Sequence, residues 1–260
     1  MNFRGDITMK IIISQSAEEL GCKAAAIVSE SLKSAIQKNG IAYLLVSTGM
    51  SQFTTFEALL KEDIDWTKVE MFHLDEYINL PETHPASFIK YLKERFTNHV
   101  PLKKAHFVDP SIGVEAIIQK LTTELRDKII DIGLIGIGEN THIAFNDPPA
   151  DFEDDAAFKV VKLDEACRQQ QYGEGWFPTL EDVPTTAITI TVSQIMKCKC
   201  IVSAVPYKAK AEAIYKTLTA TESTPKIPAS ILRTHPNATL LIDKESSALV
   251  NDSIIDKASL

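Results

Sequence analysis

Three short stretches carry side chains that could move protons or grip an anion. At Asp75-Glu76-Tyr77, directly behind Phe72-His73-Leu74, two carboxylates stand side by side. Neighbouring side chains in extended backbone point to opposite faces, so one carboxylate can enter a ligand crevice while the other makes structural bonds. Residues 136–147 read Gly-Ile-Gly-Glu-Asn-Thr-His-Ile-Ala-Phe-Asn-Asp. Gly136 and Gly138 let the backbone approach a ligand closely, and His142, flanked by Asn140 and Asp147, is of the type that transfers protons near neutral pH. The third stretch, Ser47-Thr48-Gly49-Met50-Ser51, brings hydroxyls and free N–H groups to the start of a helix, a combination that holds phosphate. Taken singly, each has a plainer reading: an Asp-capped loop, a structural His, and a capped strand-to-helix turn. The glycine spacing lacks the third position of a dinucleotide fingerprint, so no nucleotide cofactor is expected.

Something must hold these stretches at strand ends, and the hydrophobic pattern supplies it. Apolar runs at residues 11–14, 41–46, 69–74 and 132–137 read as strands, with a short one near His106. Ser16 with Glu19 forms a capping box for a helix over residues 16–37, closed by Asn39-Gly40. Helices are predicted at residues 53–60 and 114–128, and another carries Pro85 in its first turn. Further strands fall at residues 159–163, 187–192, 200–205 and 239–242, with a helix at residues 208–218. This alternation predicts one domain over residues 1–260, with parallel strands and covering helices. In an open α/β sheet the ligand sits beyond the carboxyl ends of the strands, where the three stretches fall.

Composition narrows the partners. A chain of 260 residues, 45% hydrophobic and 24% charged, is neither collagenous nor disordered. Its 35 acidic against 27 basic residues give a net charge of −8 without a Lys/Arg cluster, which argues against nucleic acid. No apolar run approaches the roughly 20 residues of a membrane span, and residues 1–6 lack a basic region followed by an apolar core, so a cytoplasmic protein without membrane partners is expected. Of the four cysteines, Cys22, Cys167, Cys198 and Cys200, the last two would share one face of a strand as buried thiols. No second pair completes a zinc site, and no metal is expected.

In combination and in this order, the motifs resemble the glucosamine-6-phosphate isomerase/deaminase family, which shares its fold with 6-phosphogluconolactonases. Thr48-Gly49-Met50-Ser51 is similar to the family's Thr-Gly-Gly-Thr phosphate loop. Asp75-Glu76-Tyr77, Leu80-Pro81 and His84-Pro85 match its Asp-Glu-Tyr, Leu-Pro and His-Pro, and residues 139–148 resemble its Asn-Asp-Gly-His-Ile-Ala-Phe-Asn-Glu-Pro signature. The resemblance spans nearly the whole chain and implies a three-layer α/β/α fold with a Rossmann-like, mostly parallel sheet. It implies a phosphosugar substrate and no cofactor. Asp75 would shuttle a proton between C2 and C1 through an enolamine, and His142 would open the ring before ammonia leaves. Thr48, Gly49, Met50 and Ser51 would bind phosphate together with Arg168, in Ala166-Cys167-Arg168, and Lys208, in Pro206-Tyr207-Lys208.

The departures around the His matter: Asn140 replaces the family's Asp, Thr141 its Gly and Asp147 its Glu. A neutral amide beside the imidazole orients the ring but stabilises its charge less, so ring opening is the step expected to be weakened. Three readings follow: a deaminase of a hexosamine 6-phosphate, a 6-phosphogluconolactonase, and a non-catalytic sugar-phosphate sensor. Tyr77 and Phe145-Asn146 side with the deaminase. Family members with an allosteric effector site use cations soon after the His signature, where this chain has Asp151, Glu153, Asp154 and Asp155, so a monomer or low homo-oligomer is expected.

Overall fold

The computed structural model describes residues 9–258. Its elements, in chain order, are β1 (Lys10–Ser14), α1 (Ala17–Asn39), β2 (Ala42–Val46), α2 (Phe53–Leu59), β3 (Val69–His73), β4 (Asp75–Tyr77), α3 (Phe88–Leu92), β5 (Lys104–His106), α4 (Val114–Leu125) and β6 (Ile132–Leu134). The second half continues with β7 (Phe158–Lys162), α5 (Glu165–Gly173), β8 (Thr186–Ile190), α6 (Val192–Ile195), β9 (Ile201–Val205), α7 (Ala211–Thr219), β10 (Ala238–Asp243) and α8 (Asp252–Ala258).

Seven strands form a parallel sheet in the order β1-β10-β9-β6-β2-β3-β5. Central strands buried on both faces need apolar residues at every position, and β2, Ala-Tyr-Leu-Leu-Val, meets that requirement. Its Leu45 packs into one core cluster while Leu44 and Val46 pack into the other, so helices cover both sides. Ser16 caps α1 by accepting from the Glu19 N–H, and Gly40 ends it in the left-handed conformation, φ 75°. Helix α1 lies so close to α2 that a Cβ on Gly21 would sit 2.5 Å from the Thr54 carbonyl carbon.

The alternation misleads in one region. Strands β4, β8 and β7 form a separate antiparallel sheet rather than extending the parallel one. Leu74 joins the two sheets: its N–H donates to the Val46 carbonyl at 3.3 Å and its carbonyl accepts from the Ile190 N–H at 2.9 Å. The Asp75 segment is therefore paired strand, not loop. Pro85 lies ahead of its helix, which Ser87 caps through the Lys90 N–H. Cys198 and Cys200 are both buried, but they belong to opposite core clusters, because Cys198 precedes β9 and is not bound by strand alternation. Helix α5 escapes the hydrophobic pattern because its polar Glu-Ala-Cys-Arg-Gln-Gln-Gln-Tyr-Gly sequence shows only a narrow apolar stripe.

Candidate active site

The carboxyl ends of β2, β3, β6 and β9 open into a cavity of about 740 Å³. Residues 47–51, Asp75, Asn140, His142 and Lys210 all line it. The turn after β2 is possible because Gly49 takes φ 101°, a region costly for other residues. The Tyr91 hydroxyl donates to the Gly49 carbonyl at 2.9 Å, and the Gln52 side-chain amide donates to the Ala204 carbonyl at 3.1 Å, pinning the turn to β9. Its first N–H groups open a helical turn, where intrahelical acceptors do not exist, so they remain available to an anion.

Alternation in β4 separates the two acidic side chains. Asp75 lines the cavity and is 5% exposed; burial, with neighbouring Glu76, holds its carboxyl well above the usual range. Such a group holds a proton more strongly than an exposed carboxylate does. Glu76 turns away and accepts from the Ile89 N–H at 2.8 Å, the Ser87 hydroxyl at 2.9 Å and the Tyr77 N–H at 2.9 Å, fastening α3 to the strand. Burial raises its carboxyl to about 7.

His142 packs on Gly138, where a Cβ would fall 2.2 Å from the imidazole Nε2. The loop between them needs left-handed backbone at Thr141, φ 74°, a strained conformation for a β-branched residue and the physical reason a Gly suits that position. The ring's charged neighbour is Asp147, whose Oδ1 lies 3.1 Å from Nδ1. Burial acts to raise the Asp147 carboxyl, but His142 and Asn140 together hold it below its ordinary value.

Asn140 makes no hydrogen bond to the imidazole; the ring's partner is Asp147, not the neutral amide expected from the sequence. Its Oδ1 accepts from the His142 backbone N–H at 3.0 Å, and its amide donates to Asp147 Oδ1 at 2.9 Å and toward the Asp164 carboxylate at 3.3 Å. Asp164 caps α5 by accepting from the Cys167 N–H at 2.6 Å, and its own N–H donates to Asp147 Oδ2 at 3.2 Å. One amide thus bridges two carboxylates and ties the His loop to α5.

The two cations assigned to phosphate lie elsewhere. Arg168 does not line the cavity: its guanidinium donates to the Leu180 carbonyl at 2.6 Å and the Val183 carbonyl at 3.3 Å. Cys167 and Gln171 form the buried face of α5, and Arg168, about 100° round the helix from Cys167, points at the following segment instead. Lys208 is exposed and outside the cavity lining. The lysine that does line it is Lys210, 7% exposed, whose pKa burial lowers against the opposing pull of Glu174 and Glu139. Glu139 and Glu174 line the cavity as well, and Gln170 holds the Glu139 N–H at 2.9 Å. The spacing of Tyr207-Lys208-Ala209-Lys210 offered a signal for this exchange only through the turn that starts α7, which strand periodicity does not report.

Residues 15–241 match the family described as glucosamine-6-phosphate isomerases/6-phosphogluconolactonase. Over 253 residues the chain is 35% identical to the glucosamine-6-phosphate deaminase of Thermoanaerobacter pseudethanolicus, covering 94% of this chain and 96% of that protein. It is 36% identical over 252 residues to the glucosamine-6-phosphate deaminase of Shouchella clausii, with 93% and 97% covered. A solved monomeric glucosamine-6-phosphate deaminase of the NagB superfamily superposes with a TM-score of 0.84 at 31% identity, covering 93% of this chain and 100% of that one. A 6-phosphogluconolactonase from Thermotoga maritima shares the fold at a TM-score of 0.74 and 15% identity, with 91% and 100% covered.

Proposed function

This chain belongs to the glucosamine-6-phosphate isomerase/6-phosphogluconolactonase family, and we propose that it is a deaminase, converting a hexosamine 6-phosphate and water into the ketose 6-phosphate and ammonia. The observation that carries this reading is the pairing of Asp75 and His142 in one cavity: a buried carboxyl that favours its proton and an imidazole beside a carboxylate. Ring opening requires a proton delivered to the ring oxygen and one removed from the anomeric hydroxyl. An imidazole serves both ends of that exchange, and Asp147 stabilises it when charged. Once the chain is open, Asp75 takes the C2 proton, holds it, and returns it to C1. The enolamine becomes a ketimine, and water cleaves it to ketose and ammonia.

A phosphate dianion brings about two charges into an acidic protein. In this reading the Thr48–Ser51 turn meets it with N–H and hydroxyl donors, and Lys210 supplies the charge first assigned to Lys208. Arg168 acts instead as a clamp on the segment after α5. We place the enzyme in amino-sugar catabolism in the cytoplasm, as a monomer or low homo-oligomer. Among the described residues no helix is long and apolar enough to cross a membrane.

The test is incubation of the purified protein with glucosamine 6-phosphate and its epimers, measuring ammonia and ketose phosphate together. Equimolar release of both supports the reading. Acid release from 6-phosphogluconolactone, with no ammonia from any hexosamine phosphate, would replace it with the lactonase. Phosphosugar binding without turnover of either substrate would replace it with the sensor.

A further inference from the structure

Behind the catalytic imidazole lies a group of side chains that proton transfer does not require. Cys167 is fully buried near the start of α5, and its thiol, Asp147 and a nitrogen of His142 offer three ligand atoms within 4.8 Å of one another. His142 itself is only 9% exposed, and although its Nδ1 lies 3.1 Å from Asp147 Oδ1, the direction of approach leaves that buried nitrogen without an aligned hydrogen bond. A soft sulfur, an imidazole nitrogen and a carboxylate oxygen converging on one point make a donor set that suits zinc-class cations.

We propose that His142, Asp147 and Cys167 form an inhibitory site for a thiophilic divalent cation. Three atoms at the corners of a triangle with 4.8 Å sides lie about 2.8 Å from its centre, against about 2.0 to 2.3 Å for bonds from zinc to nitrogen, oxygen and sulfur. Closing that gap takes shifts of roughly half an ångström, and the 3.1 Å edge between Nδ1 and Oδ1 is already near a chelating separation. Charge favours occupancy. With a neutral imidazole, one carboxylate and a protonated thiol, the cluster carries a single negative charge. Binding the dication releases the thiol proton to solvent and leaves thiolate, carboxylate, imidazole and metal with no net charge, which a buried site tolerates best. A water completes the coordination.

Occupancy ties up Nδ1 and the Asp147 charge together; an imidazole ligated through Nδ1 keeps its proton on Nε2 and can no longer accept one, so ring opening stops. The inhibition half of this proposal rests on the deaminase reading, whereas metal binding does not. The experiment therefore has two arms, on full-length protein carrying Cys22→Ser to remove the exposed thiol. In the first, Cd²⁺ is titrated and the thiolate-to-metal charge-transfer absorbance is followed. One equivalent is expected to develop the band, which Cys167→Ala abolishes. In the second, Zn²⁺ inhibition of turnover is measured, with Cys167→Ala and Cys167→Ser each requiring at least about tenfold more metal for the same fractional loss. The serine variant, nearly the same size, covers the case in which the alanine variant does not fold. No band in the parent, a band that survives in both variants, or unchanged Zn²⁺ sensitivity would each overturn the site. A Cys167-dependent band in a protein with no deaminase activity would leave the site standing and sink the deaminase reading instead.

Discussion

Replacing Asn140 by Asp should damage this protein, because of what the amide touches. Asn140→Asp exchanges an NH₂ donor for a carboxylate oxygen 2.9 Å from Asp147 Oδ1 and 3.3 Å from Asp164 Oδ2. At an effective dielectric constant of about 20, two unit charges at those separations repel by about 6 and about 5 kcal/mol. Side-chain rotation and uptake of a proton relieve most of this, and a net loss of about 2 to 4 kcal/mol is expected, or roughly 5 to 12 °C in Tm for a chain of this size. The loss should deepen as pH rises and the extra proton leaves the cluster. Turnover should fall at least about tenfold, since an Asp147 carboxyl pushed upward by a like charge is a poorer partner for the His142 cation. The control is Asp164→Ser, which keeps an oxygen to cap the Cys167 N–H but removes one charge. In that background Asn140→Asp should cost about 1 to 2 kcal/mol less than it does alone, measured by thermal and urea denaturation as a double-mutant cycle. Equal losses in both backgrounds, or an Asn140→Asp protein as stable and active as the parent, would refute the bridging role.

Asp75→Asn is expected to lower turnover at least about 10²-fold while raising Tm, because a buried carboxyl with an elevated pKa favours the unfolded chain at neutral pH; unchanged turnover would remove Asp75 from the mechanism. The same shifts set the pH profile. Asp75 and Glu76 are both raised, so their contribution is fully present below their unfolded values and is lost as pH climbs, for Glu76 through about 7. Stability should therefore decline between pH 5 and pH 8, with a shallower slope in Asp75→Asn, and a flat profile in the parent would contradict the burial argument. Lys210→Met should weaken binding of a 6-phosphorylated sugar by about 1.5 to 3 kcal/mol and leave the unphosphorylated sugar almost unaffected in calorimetry. Lys208→Ala should change neither, and Arg168→Ala should lower Tm through the freed Leu180 and Val183 carbonyls; phosphate-selective loss in either would restore the original assignment. Gly138→Ala should cut kcat at least about 10²-fold with the fold intact, since its Cβ would collide with the His142 ring, and near-normal kcat would mean that the ring works from another position.

Local chemistry singled out the Thr48–Ser51 turn, Asp75 and His142 as candidates, and it was their combination and order, not any one of them, that pointed to a site. Each follows or sits near a strand whose apolar run ends abruptly in Gly, Ser or Asp, and a strand end in an open α/β sheet is a place where ligands bind. The opposite facing of Asp75 and Glu76 needed nothing beyond the two-residue period of extended chain. What neighbouring residues alone do not settle was decided by contacts between distant parts of the chain. Which lysine enters the cavity depends on Tyr207, held at φ 80° while its N–H donates to the Asp243 carboxylate at the end of β10, a turn that sends Lys208 outward and Lys210 in. Arg168 is set by the phase of α5, which starts where Asp164 caps it, and the antiparallel β4-β8-β7 sheet arises because Leu74 carries β3 on into a partner more than a hundred residues away. The pairing of His142 with Asp147 rather than Asn140 belongs to the same class. Sequence spacing placed both candidates near the ring, but the left-handed bend at Thr141 and the pull of Asp164 on the Asn140 amide determine which one faces it.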